Sequence, residues 1–134
     1  MRHLANEAGL SDRLRIDSAG TSGWHVGDGA DRRTAAAARA RGIEMEHGAR
    51  QFTATDFVRF DHILAMDHDN VAELHALAPD ADARAKIVLL RAFDPASPAD
   101  AVVPDPYYGG PSGFSDVIDL CEAACRGLLD AIAR

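Results

Sequence analysis

Phe60-Asp61-His62-Ile63-Leu64-Ala65-Met66-Asp67 is the stretch on which the fold turns. Its centre, His62 to Met66, is a short continuous apolar run closed by an acid, the pattern of a strand buried in a parallel sheet. A helix is expected directly after it, with Val71, Leu74 and Leu77 on one face and Pro79 beyond its end. Lys86-Ile87-Val88-Leu89-Leu90 then repeats the strand pattern. Strands alternating with helices argue for an α/β fold, a small parallel sheet with helices on both faces in three layers.

Working outward, Leu14-Arg15-Ile16-Asp17-Ser18 alternates like another strand and runs into the glycine-rich loop Ala19 to Gly27. Arg2 to Ala8 reads as the last turns of a helix capped by Gly9, which makes the chain look as if it starts late in a domain. Arg32 to Arg41, rich in alanine and arginine, is expected to be helical until Gly42 stops it. Thr53 is placed as an N-cap three residues ahead of Asp56, opening a short helix through Phe60. Residues 91 to 113 form a long loop with prolines and glycines, a kind of segment that is usually functional. The closing helix, Phe114 to Ile132, puts Val117, Cys121, Ala124 and Leu128 on one stripe beside Ile118, Cys125 and Leu129.

A chain of 134 residues without repeats or a linker fits one domain over residues 1–134. The net charge of -7 with scattered arginines excludes the clustered basic footprint of a nucleic acid binder. No apolar run is long enough to span a bilayer and the first residues lack a signal sequence, so neither a membrane nor export is expected. Cys121 and Cys125, four apart on one helix, read as buried reduced thiols of a cytoplasmic protein. His68 and His75 are about 10 Å apart along a helix, too far to share a metal ion. Gly27-Asp28-Gly29 fails the dinucleotide fingerprint because Arg32 stands where its third glycine would be. No metal and no cofactor are expected. Asp67 ends a strand, where open parallel sheets place functional groups, and serves equally well as an N-cap.

Five segments carry a resemblance: Asp17 to Thr21, Trp24-His25-Val26-Gly27, Gly48-Ala49-Arg50-Gln51, Phe60 to Asp67, and Asp105-Pro106-Tyr107-Tyr108-Gly109-Gly110. In this order and spacing they resemble the low-molecular-weight protein tyrosine phosphatase family over essentially the whole chain. Alone, an Asp-Pro pair reads as a turn; with Tyr-Tyr-Gly-Gly behind it, the resemblance implies that Asp105 is the general acid and base. It implies that Trp24, Tyr107 and Tyr108 wall a substrate pocket, and that Ser18 and His47 support the phosphate-binding loop. The implied substrate is a phosphotyrosine protein or a small aryl phosphate, cleaved through a cysteinyl-phosphate.

The family's nucleophile sits in a Cys-x5-Arg loop, and neither cysteine here fits one: six residues beyond Cys121 stands Gly127, and beyond Cys125 stands Ala131. The expectation is therefore a family member whose loop and first, central strand are absent at the N-terminus, with no activity as written. The resemblance implies a four-stranded sheet; without its central strand the chain is expected to be marginally stable. The two strands flanking that place would pair directly or leave an exposed sheet open to self-association. A non-catalytic binding module built on the same fold is the alternative, and an arsenate reductase, which shares the fold, a more remote one.

Overall fold

The computed structural model describes residues 1–21, 32–43, 50–104 and 113–133. Trp24, His47, Asp105, Tyr107 and Tyr108 lie outside these residues. Six helices and two strands follow one another: α1 (Arg2–Glu7), α2 (Arg32–Arg39), α3 (Asp56–Arg59), β1 (Ile63–Ala65), α4 (His68–Leu77), α5 (Ala81–Ala85), β2 (Ile87–Leu89) and α6 (Gly113–Ala133), among the described residues. A 3₁₀ turn, Leu90–Phe93, continues directly from β2.

β1 and β2 pair in parallel, with Ile63, Leu64 and Ala65 opposite Ile87, Val88 and Leu89. The crossover between them is α4 followed by α5. Alternation along β1 sends its side chains to opposite faces. Ile63 and Ala65 join Phe57, Leu74, Ala78 and Ala83 in one core. Leu64 packs on the other, built from Leu4, Ala5, Leu90, Ala124, Cys125, Leu128 and Leu129. Helices α3 to α5 therefore cover one face of the sheet and α1 and α6 the other, the three-layer α/β arrangement expected from the sequence.

Several local readings hold. Helix α1 ends in a left-handed Gly9 (φ 72°), with Gly9 N–H bonded to Asn6 O and Leu10 N–H to Ala5 O. Gly42 (φ 78°) closes the turn after α2 in the same way, through Gly42 N–H to Arg39 O and Ile43 N–H to Ala38 O. These are Schellman caps, and glycine tolerates the positive φ because it lacks a Cβ. Asp67 caps α4, its carboxylate accepting the Asn70 N–H at 2.8 Å.

Others need correction. Leu14–Ser18 forms no strand; near it the only pairing in the described residues is a parallel bridge of Gly20 with Gln51. A strand needs a neighbouring backbone. Here the Ile16 carbonyl accepts instead from the Arg2 guanidinium, at 2.8 and 3.3 Å. Among the described residues the sheet has two strands, β1 paired with β2 alone, and Leu14–Ser18 does not add the third that the sequence led one to expect. Thr53 is not the N-cap of α3: Thr55 holds that place, and Thr53 gives its own N–H to the Asp56 carboxylate at 2.9 Å. Leu77 leaves the core face of α4 and is 42% exposed, because the helix ends beside it. The helix α5 was not foreseen; Asp80 caps it by accepting the Ala83 N–H.

Candidate active site

Two polar networks hold the segments on which the resemblance places functional residues. The first fixes the segment that runs through Ser18. Arg50 holds the Asp56 carboxylate with two bonds, 3.0 and 3.2 Å, and the Asp17 carboxylate with a third, 3.0 Å. Planar bidentate pairing of this kind is the strong form of an arginine ion pair. Asp56 has only 3% of its side chain exposed. Burial pushes its carboxyl up, but Arg50 and the Thr53 N–H hold it below the usual carboxylate range. Asp17 is also held low: burial opposes, and the Ser18 N–H and Arg50 outweigh it. Arg50 thereby ties residue 17 to α3, and the Gly20–Gln51 bridge extends the tie along both segments. Ser18, expected to support a phosphate-binding loop, is exposed within this network, its N–H bonded to Asp17 Oδ1 at 2.8 Å.

The second network holds the segment that leads to residue 105. Val103 N–H donates to the Met66 carbonyl, just past β1, at 2.8 Å. The His68 ring nitrogen Nε2 lies 3.2 Å from the Asp100 carbonyl. Arg91, on the 3₁₀ turn after β2, donates from Nη1 to the Val102 carbonyl at 2.6 Å and from Nη2 to Ser97 Oγ at 3.0 Å. Ser97 Oγ in turn donates to Asp94 at 2.8 Å, whose other oxygen accepts the Ala96 N–H at 3.0 Å. The Ala96 N–H, then Ser97 and the charge of Arg91, keep the buried Asp94 carboxyl below its usual range. Residues 94 to 103 are therefore a folded loop pinned to the end of β1, to the start of α4 and to the 3₁₀ turn.

The sequence places the end of β1, and Asp67 there reads equally well as a functional group and as an N-cap. Asp67 serves as a cap, while the neighbouring Met66 carbonyl anchors the loop. Arg50 stood inside a quoted segment without a role, and Arg91 was passed over. Their signal in the sequence is weak, since their partners lie up to 33 residues away.

Burial, with Cys125 adding to it, pushes the Cys121 thiol up to about 11, so it is protonated at neutral pH. Both cysteines are unpaired and face the α6 core. A cavity of about 360 Å³ lies between α1 and residues 11–16, lined by Arg2, Ala5, Asn6, Ser11, Leu14 and Ile16, and its Arg2 also pairs with Asp17 of the first network at 4.0 Å. No helix among the described residues is long and apolar enough to cross a membrane.

Residues 1–134 match the family model described as low molecular weight phosphotyrosine protein phosphatase. The chain belongs to that family. A low molecular weight protein-tyrosine-phosphatase of Streptomyces coelicolor is 46% identical over 132 residues, 98% of this chain and 80% of that protein. The human low molecular weight phosphotyrosine protein phosphatase is 38% identical over 130 residues, 96% of this chain and 81% of its own length. Among solved structures, a protein tyrosine phosphatase of Entamoeba histolytica superimposes with a TM-score of 0.91 at 36% identity, over 98% of this chain and 83% of that one. The α/β fold with a small parallel sheet is thus the fold of this phosphatase family.

Proposed function

We propose that this chain carries the acid side of a phosphotyrosine monoesterase site, and that residues 1–134 alone do not complete it. The observation that carries the reading is Asp105-Pro106-Tyr107-Tyr108-Gly109-Gly110 in a chain that matches the phosphatase family along its whole length. In the reaction, a thiolate attacks phosphorus and the bond to the tyrosyl oxygen breaks. Asp105 gives that oxygen its proton, because an aryl oxide leaves slowly when it must leave as an anion. In the second half, water attacks phosphorus, Asp105 takes the water proton, and the thiolate departs. Trp24, Tyr107 and Tyr108 flank the aryl ring; Ser18 and His47 support the loop that cradles the phosphate.

That loop and its thiolate are not in this stretch of sequence. No Cys-x5-Arg exists in residues 1–134, and partial burial raises the pKa of the Cys121 thiol. The nucleophile, the arginine and the N–H cradle must therefore come from other sequence. Such preorganised donors usually make the largest single contribution to phosphoryl or acyl transfer, so the acid alone gives little. The free thiols fit a cytoplasmic, reducing environment.

The experiment has two arms. The 134-residue protein is incubated with p-nitrophenyl phosphate, and no turnover is expected; turnover that disappears in Asp105→Asn would refute the missing nucleophile. Next, a Cys-x5-Arg segment is placed ahead of Met1, and activity toward phosphotyrosine peptide is measured. Asp105→Ala should lower kcat by about 10²–10⁴-fold. No loss in that variant would return Asp105 to a turn residue.

A further inference from the structure

We propose that Arg91 is a positioning residue for the general acid, acting through the Val102 carbonyl to fix the backbone three residues ahead of Asp105. The proposal rests on the acid role given to Asp105 above. Arg91 is well placed to be a fixed point. Its 3₁₀ turn continues β2, and the adjoining Leu90 is buried in the α6 core. From there the guanidinium reaches across the loop to Val102 O and Ser97 Oγ. Ser97 and Asp94 close the circuit, so the guanidinium plane is set by side chains that are themselves bonded.

Little freedom lies between this anchor and the acid. The Val103 N–H is held by Met66 O, and Val103 precedes a proline, which restricts it to extended backbone. Pro104 then fixes its own φ. Three residues of chain span at most about 10 Å, so a shift of the Val102 carbonyl passes on to residue 105 with few soft dihedrals to absorb it. Among the described residues, Arg91 Nε is buried without an acceptor. The two hydrogen bonds of the guanidinium both go to the loop. A neutral or shorter side chain could not reach both acceptors in one plane.

A misplaced acid has a signature of its own. It slows poor leaving groups, which need the proton, and spares good ones, which do not. In the protein carrying the Cys-x5-Arg segment, Arg91→Gln should lower kcat/KM for phenyl phosphate about tenfold or more. For 2,4-dinitrophenyl phosphate the change should stay within about threefold, in keeping with the steep dependence of proton transfer on placement. In the 134-residue protein, without any activity, Arg91→Gln should speed hydrogen exchange at the Val103 amide about tenfold while Leu128 and Leu129 amides in α6 keep their protection. If Arg91→Gln does not fold, Ser97→Ala, which removes the one side-chain oxygen on the guanidinium, should show the same substrate bias at about threefold. Unchanged exchange at Val103 overturns the proposal, and so does an equal loss on both substrates, which would mark a purely structural arginine. A folded parent protein with the segment in place that cleaves neither substrate would instead overturn the phosphatase reading, and this role with it.

Discussion

Gly127 sits in the middle of α6 where that helix meets the 3₁₀ turn bearing Arg91. A Cβ built on it would lie 1.8 Å from the Phe93 carbonyl oxygen and 2.8 Å from its carbon. An ordinary C···O contact is about 3.3 Å or more, so the two backbones would have to separate by about 1.5 Å. The obstacle is main chain, so no rotamer change relieves it. Overpacking of this kind costs about 1–3 kcal/mol, and a backbone obstacle belongs at the upper end. Against it stands the helix propensity of alanine over glycine, about 1 kcal/mol. Gly127→Ala should therefore lose about 2 kcal/mol where an exposed helical glycine would gain stability. At about 4 °C per kcal/mol for a domain of this size, Tm should fall by about 8 °C. Thermal unfolding followed by circular dichroism at 222 nm reads this directly, with Asp130→Ala on the exposed face of α6 as the propensity control. A Tm equal to or above the parent protein's would refute the close approach. Because the displaced turn carries Arg91, the variant should also loosen the Val103 amide in hydrogen exchange.

Three further outcomes follow from the packing. Gly9→Ala has open space around it but a φ of 72°, so its cost is backbone strain alone, about 1–2 kcal/mol in the same melts. Asp67→Ala removes the cap of α4 and should cost about 1 kcal/mol while leaving catalysis by the completed enzyme unchanged; a large loss of kcat would restore Asp67 as a functional group. Arg50→Met leaves the Asp56 carboxylate buried without its cation and should cost about 3 kcal/mol near neutral pH. Because the folded-state pKa of Asp56 is depressed, this stability is present above the usual carboxylate pKa and is lost as pH falls through the lower folded value. Melts from pH 6 to pH 2.5 should show a steep acid limb in the parent protein and a shallower one in Arg50→Met; parallel limbs would remove Asp56 from the account.

What the sequence made legible was local. The apolar runs at Ile63 and Ile87, the stripe of α6, and the glycines at 9 and 42 each carry their signal within a few residues. Leu14–Ser18 shows the limit of such signals. Its alternation correctly marks Leu14 and Ile16 as core-facing, yet a strand is a property of two chains, and here the Ile16 carbonyl meets Arg2 instead of a neighbouring amide. Lys86, the only lysine, was read as part of a strand, but its ammonium caps α3 by donating to the Phe57 and Phe60 carbonyls. That role depends on how β2 meets α3, which no window of sequence contains. Helix α5 was legible in principle, since Asp80 before Ala-Asp-Ala-Arg-Ala is a capped helix start, but Pro79 drew attention to the break instead.

The site divides along the same line. The role proposed for Asp105 rests on a motif, since a carboxylic acid before proline and two tyrosines is chemistry written in side chains. The groups that hold the loop up to residue 103 are largely main-chain atoms: Met66 O, Val102 O, Asp100 O and the Val103 N–H. Every residue but proline has the same N–H, and every residue has the same carbonyl, so identity at these positions carries little information. What can be read is the side chain that addresses them, a cation such as Arg91 with its acceptors 6 and 11 residues downstream. An arginine close after a half-buried strand, followed by an Asp-x-x-Ser pair and a proline-flanked acid, is therefore the pattern that points to the clamp. Substituting Arg91 and Asp105 separately and together would test whether the two act as one unit: if Arg91 works through the acid, its loss should add almost nothing once Asp105 is gone. Additive losses would mean that Arg91 serves the reaction by some other route.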